Sequence, residues 1–80
     1  KKRFTYQEQK DWEVIEDEIA GLEAKLEACE SEILKAARDF VRLEELMKEK
    51  EELNSALEAK MERWMYLNEL AEEIAAEHAR

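Results

Sequence analysis

The sequence predicts an all-α fold, a two-helix antiparallel coiled-coil hairpin, and three observations support that prediction. Charged residues make up 44% of the 80-residue chain, which has no proline and one glycine. Such a composition is typical of long helices and coiled coils. Apolar residues recur at alternating steps of three and four, in two successive runs. This spacing places them along one line of each helix, and its regularity argues against disorder, which so charged a composition otherwise favours.

The first run predicts a helix over about residues 5–35. Its apolar positions, called the first seam, are Trp12, Ile15, Ile19, Leu22, Leu26, Cys29, Ile33, Ala36 and Phe40. Thr5 followed by Glu8 is a capping-box pair, so we expect this helix to start at Thr5. Residues 1–4 then form a linker outside the hairpin, which occupies residues 5–80.

The second run predicts a helix over about residues 40–77. Its positions, called the second seam, are Leu43, Leu46, Lys50, Leu53, Leu57, Lys60, Trp64, Leu67, Ala71 and Ile74. Two lysines interrupt the apolar pattern, and Met47 and Met61 lie close to its line. We expect Lys60 to lie at the edge of the seam, with Met61 filling it. The ammonium group of Lys50 should reach water along its aliphatic stem.

Residues 36–39 are the predicted turn, because the apolar spacing loses its phase there. Asp39 is a favourable N-cap for the second helix. The segment has neither glycine nor proline, so the alternative is one continuous helix of about 110 Å that pairs with a second chain. In a hairpin, the sequence numbers of facing residues should add to about 76, which would bring Trp12 opposite Trp64.

Charge is distributed unevenly along the chain. The net charge of −9 argues against a general nucleic-acid binder. Residues 11–34 hold one basic and nine acidic side chains, whereas residues 35–50 hold five basic and four acidic ones. The candidate contacts to nucleic-acid phosphate are the cations at the turn and just after it, Lys35, Arg38, Arg42 and Lys48. The alternative interpretation is ordinary solvated helix-surface charge.

Other classes of site find little support in the sequence. No apolar run is long enough to cross a bilayer and none resembles a signal peptide, so we expect a cytoplasmic chain without a membrane partner. Cys29 lies on the first seam and is expected to pack as a small hydrophobe. We expect the scattered carboxylates to be solvated, so no catalytic or metal site is predicted. Tyr66 lies off the second seam and is a weak candidate for stacking on bases.

Motifs at both ends of the sequence resemble those of a known family. Residues 4–10 read FTYQEQK and are similar to the opening of the C-terminal domain of Uup-type ABC-F proteins. Residues 62–67 read ERWMYL and resemble that domain's closing signature, an Arg-Trp pair followed by leucine three residues later. Residues 46–51, LMKEKE, look like versions from Gram-positive bacteria.

This resemblance implies a fold and a function. Members are soluble ATPases with two tandem nucleotide-binding cassettes that act on ribosomes and translation. Their C-terminal domain is a two-helix antiparallel coiled coil, associated with DNA binding in the Uup branch. The resemblance therefore implies that residues 1–4 link to a preceding cassette, and that the chain is an arm that binds DNA or ribosomal RNA. ATP and magnesium would belong to the cassettes.

The chain itself is not expected to be an enzyme. It has no glycine-rich loop ending in Lys-Ser or Lys-Thr that could hold nucleotide phosphates, so we expect no cofactor in it. The hairpin is expected to be monomeric. The alternative function is a structural or protein-interaction coiled coil without nucleic-acid affinity, which the acidic body of the chain favours.

Overall fold

Two long helices make up the computed structural model, which describes residues 2–79. α1 spans Tyr6–Lys35 and α2 spans Phe40–His78. The helices lie antiparallel in a rod that measures 61 × 16 × 15 Å. This arrangement confirms the predicted hairpin and excludes the single continuous helix within this chain.

Capping side chains define the start of both helices. The Thr5 hydroxyl accepts a hydrogen bond from the Glu8 backbone N–H at 3.2 Å, and the Glu8 carboxylate accepts one from the Thr5 backbone N–H at 2.8 Å. This is the predicted capping box, with Thr5 as N-cap and Tyr6 as the first helical residue. The Asp39 carboxylate accepts from the Arg42 backbone N–H at 3.1 Å and caps α2, as predicted.

The turn needs no glycine because its backbone stays at negative φ. Ala36 is the C-cap of α1, with φ −92° and ψ 15°, and its N–H donates to the Glu32 and Ile33 carbonyls. The Asp39 N–H then donates to the Ala36 carbonyl at 2.8 Å. No residue in the described range 2–79 has positive φ, so ordinary L-residues make this turn without strain.

The core between the helices follows the two seams. Its fully shielded side chains are Ile15, Cys29, Leu46 and Leu67. Other seam positions are half-buried, as expected when each helix has one neighbour. Phe40 is the exception and is exposed. Its assignment to the first seam was wrong because α1 ends at Lys35, so the spacing of that helix no longer determines where Phe40 points.

Both lysines of the second seam stay on it, and the prediction that Met61 fills the seam was wrong. Lys50 and Lys60 are half-buried, whereas Met47 and Met61 are exposed. Each ammonium pairs with a glutamate of α1, Lys50 at 3.3 Å and Lys60 at 3.0 Å. The aliphatic stems thus cover the seam while the charges reach its edge. Moving to the next residue would rotate the side chain by about 100° away from α1.

Contacts between the helices agree with the predicted register. They join Cys29 with Leu46, Glu30 with Lys50, Glu18 with Lys60, Asp11 with Arg63, and Glu8 with Tyr66. The two sequence numbers in each pair add to between 74 and 80, around the predicted 76. A long side chain reaches about one helical turn along its partner, which accounts for the spread.

Aromatic packing near the chain ends involves the segment before α1. The Trp12 ring lies against Phe4, with centroids 5.8 Å apart and planes inclined by 34°. Trp64 borders a shallow groove beside Ile19 and Met61. The segment before α1 lies along the end of α2, where the Lys2 backbone N–H donates to a glutamate at 2.8 Å. Phe4 thereby packs against Trp12 near the chain ends.

Candidate nucleic-acid interface

The end of the hairpin that carries the turn, residues 34–42, is called the apex. Three basic side chains and one acidic side chain belong to it. The acidic one, Asp39, is engaged in capping α2. The net positive charge of the apex therefore comes from Lys35, Arg38 and Arg42, whose residues all lie on the surface.

Arg38 and Arg42 are the cations of the apex that have no ionic partner. Arg38 belongs to the turn and Arg42 to the first turn of α2. Neither forms an ion pair within 4 Å with any residue of the described range. The Arg42 side chain borders a groove that Glu32 and Glu49 also line. Both guanidinium groups are thus accessible to an external anion, and their planar donor pattern suits phosphate.

Lys35 and Lys48 occupy different settings. Lys35 ends α1, with its Nζ 3.5 Å from Glu32 on the preceding turn, so its charge is partly offset and also favoured by the helix dipole. Lys48 is exposed on α2, about 9 Å along the axis from Arg42 and about 120° around it. The structure brings Lys35, Arg38 and Arg42 together at the apex and leaves Lys48 on the side of the hairpin.

Exposed apolar side chains at the apex were missed by sequence reasoning. Leu34, Phe40 and Val41 are 79%, 81% and 72% exposed. The exposure of two of them could have been inferred from the sequence, because Leu34 and Val41 each directly follow a seam residue and lie off the seams themselves. The apex therefore combines apolar and cationic side chains on one solvent-facing end.

The opposite end of the hairpin, residues 2–12 with 63–79, is called the open end, and there polar side chains are paired across the helices. Arg63 donates to Asp11 through Nε and lies within ion-pair distance through Nη2, both at 3.1 Å. The Tyr66 hydroxyl donates to the Glu8 carboxylate at 2.5 Å, and the Arg63 guanidinium lies 5.2 Å from the Tyr66 ring centroid. Tyr66 is thus engaged within the chain, which weakens its candidacy as a base-stacking residue.

These contacts shift the pKa values of the residues that form them. The Thr5 backbone N–H lowers the pKa of Glu8, and the Tyr66 hydroxyl adds to that effect. The pKa of Asp11 is lowered by the Gln7 side-chain amide, 2.8 Å away, and further by Arg63. The hydrogen bond to Glu8 raises the pKa of Tyr66. All three shifts favour the protonation states found at neutral pH, so the network is structural in character.

No other constellation suggests chemistry in residues 2–79. The Cys29 thiol is buried and donates to the Leu46 carbonyl at 3.3 Å, and burial raises its pKa, as expected of a packing residue. No group of three or more potential metal ligands lies together in this range. None of its helices combines the length and apolar character needed to cross a membrane.

Comparison with known proteins yields one family and a clear relative. A family model described as ABC transporter C-terminal domain matches residues 3–69. Over 74 residues the chain is 42% identical to a protein of Bacillus subtilis (strain 168) named uncharacterized ABC transporter ATP-binding protein YfmR. That match covers 92% of this chain but 12% of the relative, so the chain spans about an eighth of the relative's length. No solved structure matches significantly.

Proposed function

Because the chain belongs to the ABC transporter C-terminal domain family, we propose that it is the C-terminal arm of an ABC-F ATPase and binds the phosphates of DNA or ribosomal RNA through its apex. The parent protein would hold ATP and magnesium in cassettes outside this chain and act in the cytoplasm, on the ribosome in translation. The coiled-coil hairpin supports the assignment as an arm. The relative's name, an ATP-binding protein, supports the nature of the parent.

The grouping of unpaired cations at the apex carries this proposal. Away from the apex, four cations pair with carboxylates of other parts of the chain: Lys2, Lys50, Lys60 and Arg63. Four others form no ion pair with a described residue but lie far apart along the sequence: Arg3, Lys10, Lys25 and Lys48. At the apex, Arg38 and Arg42 have no such partner among the described residues. Cations without an internal role in stability are the ones available to release counterions from a nucleic-acid backbone.

The elongated shape explains how an acidic chain can approach a polyanion. Salt screens charges beyond about 8 Å at physiological ionic strength. The rod is 61 Å long, so the acidic side chains of the open end lie several screening lengths from a ligand held at the apex. Their repulsion of a ligand that binds end-on is therefore weak, whereas a ligand lying along the acidic body would be strongly repelled.

The test compares two variants that change the net charge by the same amount. One carries Arg38→Glu and Arg42→Glu, and the other carries Lys10→Glu and Lys25→Glu on the exposed surface of α1. The chain is titrated against labelled duplex DNA, single-stranded DNA and structured RNA at two salt concentrations. We expect the apex variant to lose most of its affinity, and the slope of log affinity against log salt concentration to fall by about one per cation removed. The α1 variant should keep most of its affinity. Equal losses in both variants would contradict the proposal.

The acidic body favours a second candidate function, a structural or protein-interaction arm without nucleic-acid affinity. Residues 11–34 hold nine acidic side chains and one basic, a surface that repels phosphate and suits a basic protein partner. Absence of binding to all three nucleic acids at low salt would favour this function over the first.

A further inference from the structure

The apex exposes an aromatic ring that contributes little to the stability of the hairpin. Phe40 is the first residue of α2 and is 81% exposed. Leu34 and Val41 nearby are almost as exposed. Single exposed apolar residues are common on protein surfaces, but three at one end of a narrow rod are a concentration of the kind found at interaction sites.

The ring is close in sequence to the two unpaired cations of the apex, and all three residues lie at the end of a rod about 16 Å wide. Arg38 precedes Phe40 by two residues and Arg42 follows it by two, the latter within the first turn of α2. Asp39 does not neutralise them through an ion pair, since its carboxylate accepts from the Arg42 backbone N–H rather than from its guanidinium. An exposed ring and two unpaired guanidinium groups on the same narrow end suit two features of a nucleic acid, the flat face of a base and the charge of its phosphates.

We propose that Phe40 stacks on an unpaired base while Arg38 and Arg42 contact the flanking phosphates, so that the ligand of the apex is a nucleic acid with unpaired bases, such as a loop or bulge. This inference rests on the proposed function and narrows it. In a continuous duplex each base face is covered by the next base, and only the edges are accessible in the grooves. Bases in loops and bulges are splayed out and stack on aromatic side chains.

The chain provides a matched control at its other end. Tyr6 is the first residue of α1, as Phe40 is of α2, and it is 77% exposed. Lys10 lies 5.5 Å from the Tyr6 ring centroid, so this position also combines an aromatic ring with a cation. It belongs to the open end, however, where the proposal places no ligand. Neither ring belongs to the core, so alanine at either position should leave the helical content and the melting curve close to those of the parent chain.

The experiment measures the affinity of the 80-residue chain for two RNA probes, a stem closed by a loop and the same stem fully paired. The loop carries 2-aminopurine, whose fluorescence is quenched when it stacks. We expect preference for the stem-loop with quenching on binding. Phe40→Ala should weaken stem-loop binding about tenfold or more and remove the quenching, with little effect on the duplex. Tyr6→Ala should change neither.

A third pair of variants separates stacking from general apolar contact. Phe40→Trp retains a stacking surface and should keep the stem-loop affinity, whereas Phe40→Leu should behave as Phe40→Ala. Equal affinity for both probes, or full affinity in Phe40→Leu, overturns the inference.

Failure of the inference is distinguishable from failure of the proposed function. If the chain binds both probes, loses both with Arg38→Glu and Arg42→Glu, and is indifferent to Phe40→Ala, only the inference fails. If it binds neither probe at low salt, the proposed function fails and the inference with it, and a protein ligand for the apex becomes the better hypothesis.

Discussion

The two ends of this hairpin differ in whether their arginine and aromatic side chains are bonded within the chain. At the open end, an arginine, two carboxylates and a tyrosine are bonded to one another across the helices, and an aromatic ring packs on a tryptophan. At the apex, two arginines have no ionic partner within the described chain, and a phenylalanine faces solvent. These side chains thus stabilise the fold at one end and remain available at the other, although Tyr6 and Lys10 are also exposed at the open end.

This contrast distinguishes residues that hold the hairpin together from residues that serve something outside it. Pairs across the open end fix the register and bring the segment before α1 onto α2. The exposed apolar side chains of the apex add little to the stability of the fold, because their apolar surface is not removed from water. A function of the apex is therefore testable by substitutions that leave the fold intact, whereas substitutions at the open end should act through stability.

The largest expected effect on the free energy of unfolding comes from a leucine-to-alanine substitution, made once at each end of the hairpin. Leu67 is completely shielded and Leu34 is 79% exposed. Leu67→Ala should lower the free energy of unfolding by about 2–5 kcal/mol, because it removes buried methyl groups and leaves a cavity. Leu34→Ala should change it by about 0.5 kcal/mol or less. Urea denaturation followed by circular dichroism measures both, and similar losses in the two variants would break the comparison.

The helix caps offer a second comparison, of intermediate size. Thr5→Ala and Asp39→Ala should each cost about 1 kcal/mol, since each removes an N-cap. The two caps differ in their surroundings, because the Glu8 of the Thr5 capping box also accepts a hydrogen bond from Tyr66. We therefore expect Thr5→Ala and Tyr66→Phe to be non-additive in a double-mutant cycle.

Asp39→Ala combined with Tyr66→Phe is the control for that cycle, because the two residues lie at opposite ends of the hairpin. Their effects on the midpoint of denaturation should add. If the effects add in both cycles, the Thr5 cap and the Tyr66 contact across the helices are energetically independent.

The smallest expected effect is the dependence of stability on pH. The pKa values of Glu8 and Asp11 are lowered in the folded chain, mainly by the Thr5 backbone and the Gln7 amide. A lowered pKa contributes stability that is present above the carboxylate's ordinary pKa and is lost as the pH falls through the folded value. Stability should therefore decline as the pH drops below about 4. Tyr66→Phe should reduce this decline, while Phe40→Ala should leave it unchanged.

Much of the fold was predictable because helical spacing is regular and caps are local. The two seams, Thr5 and Asp39 follow from neighbouring residues alone. The position of Met61 was not predictable in this way, because the apolar stem of Lys60 competes for the same seam and only the geometry of the partner decides between them. The contact of Phe4 with Trp12 depends on the path of a non-helical segment, which no periodicity describes.

The candidate site was predictable only in part for a related reason. Charge along the sequence singles out Lys35, Arg38 and Arg42, but it does not say which cations find partners across the helices. It also grouped Lys48 with them, although helix geometry places it on another side. The exposure of Phe40 follows from the end of α1 at Lys35, because the 3-4 spacing that continues to Phe40 has no structural meaning beyond the end of that helix.

The length of the rod also gives it a mechanical property. Both ends of the described chain lie at the open end, and the apex projects from them over a rod 61 Å long and about 16 Å wide. A body joined at the open end that tilted by 10° would displace the apex sideways by about 10 Å, roughly the diameter of a helix. The hairpin therefore acts as a lever, which converts a small rotation at its base into a displacement large enough to engage or release a ligand at its far end.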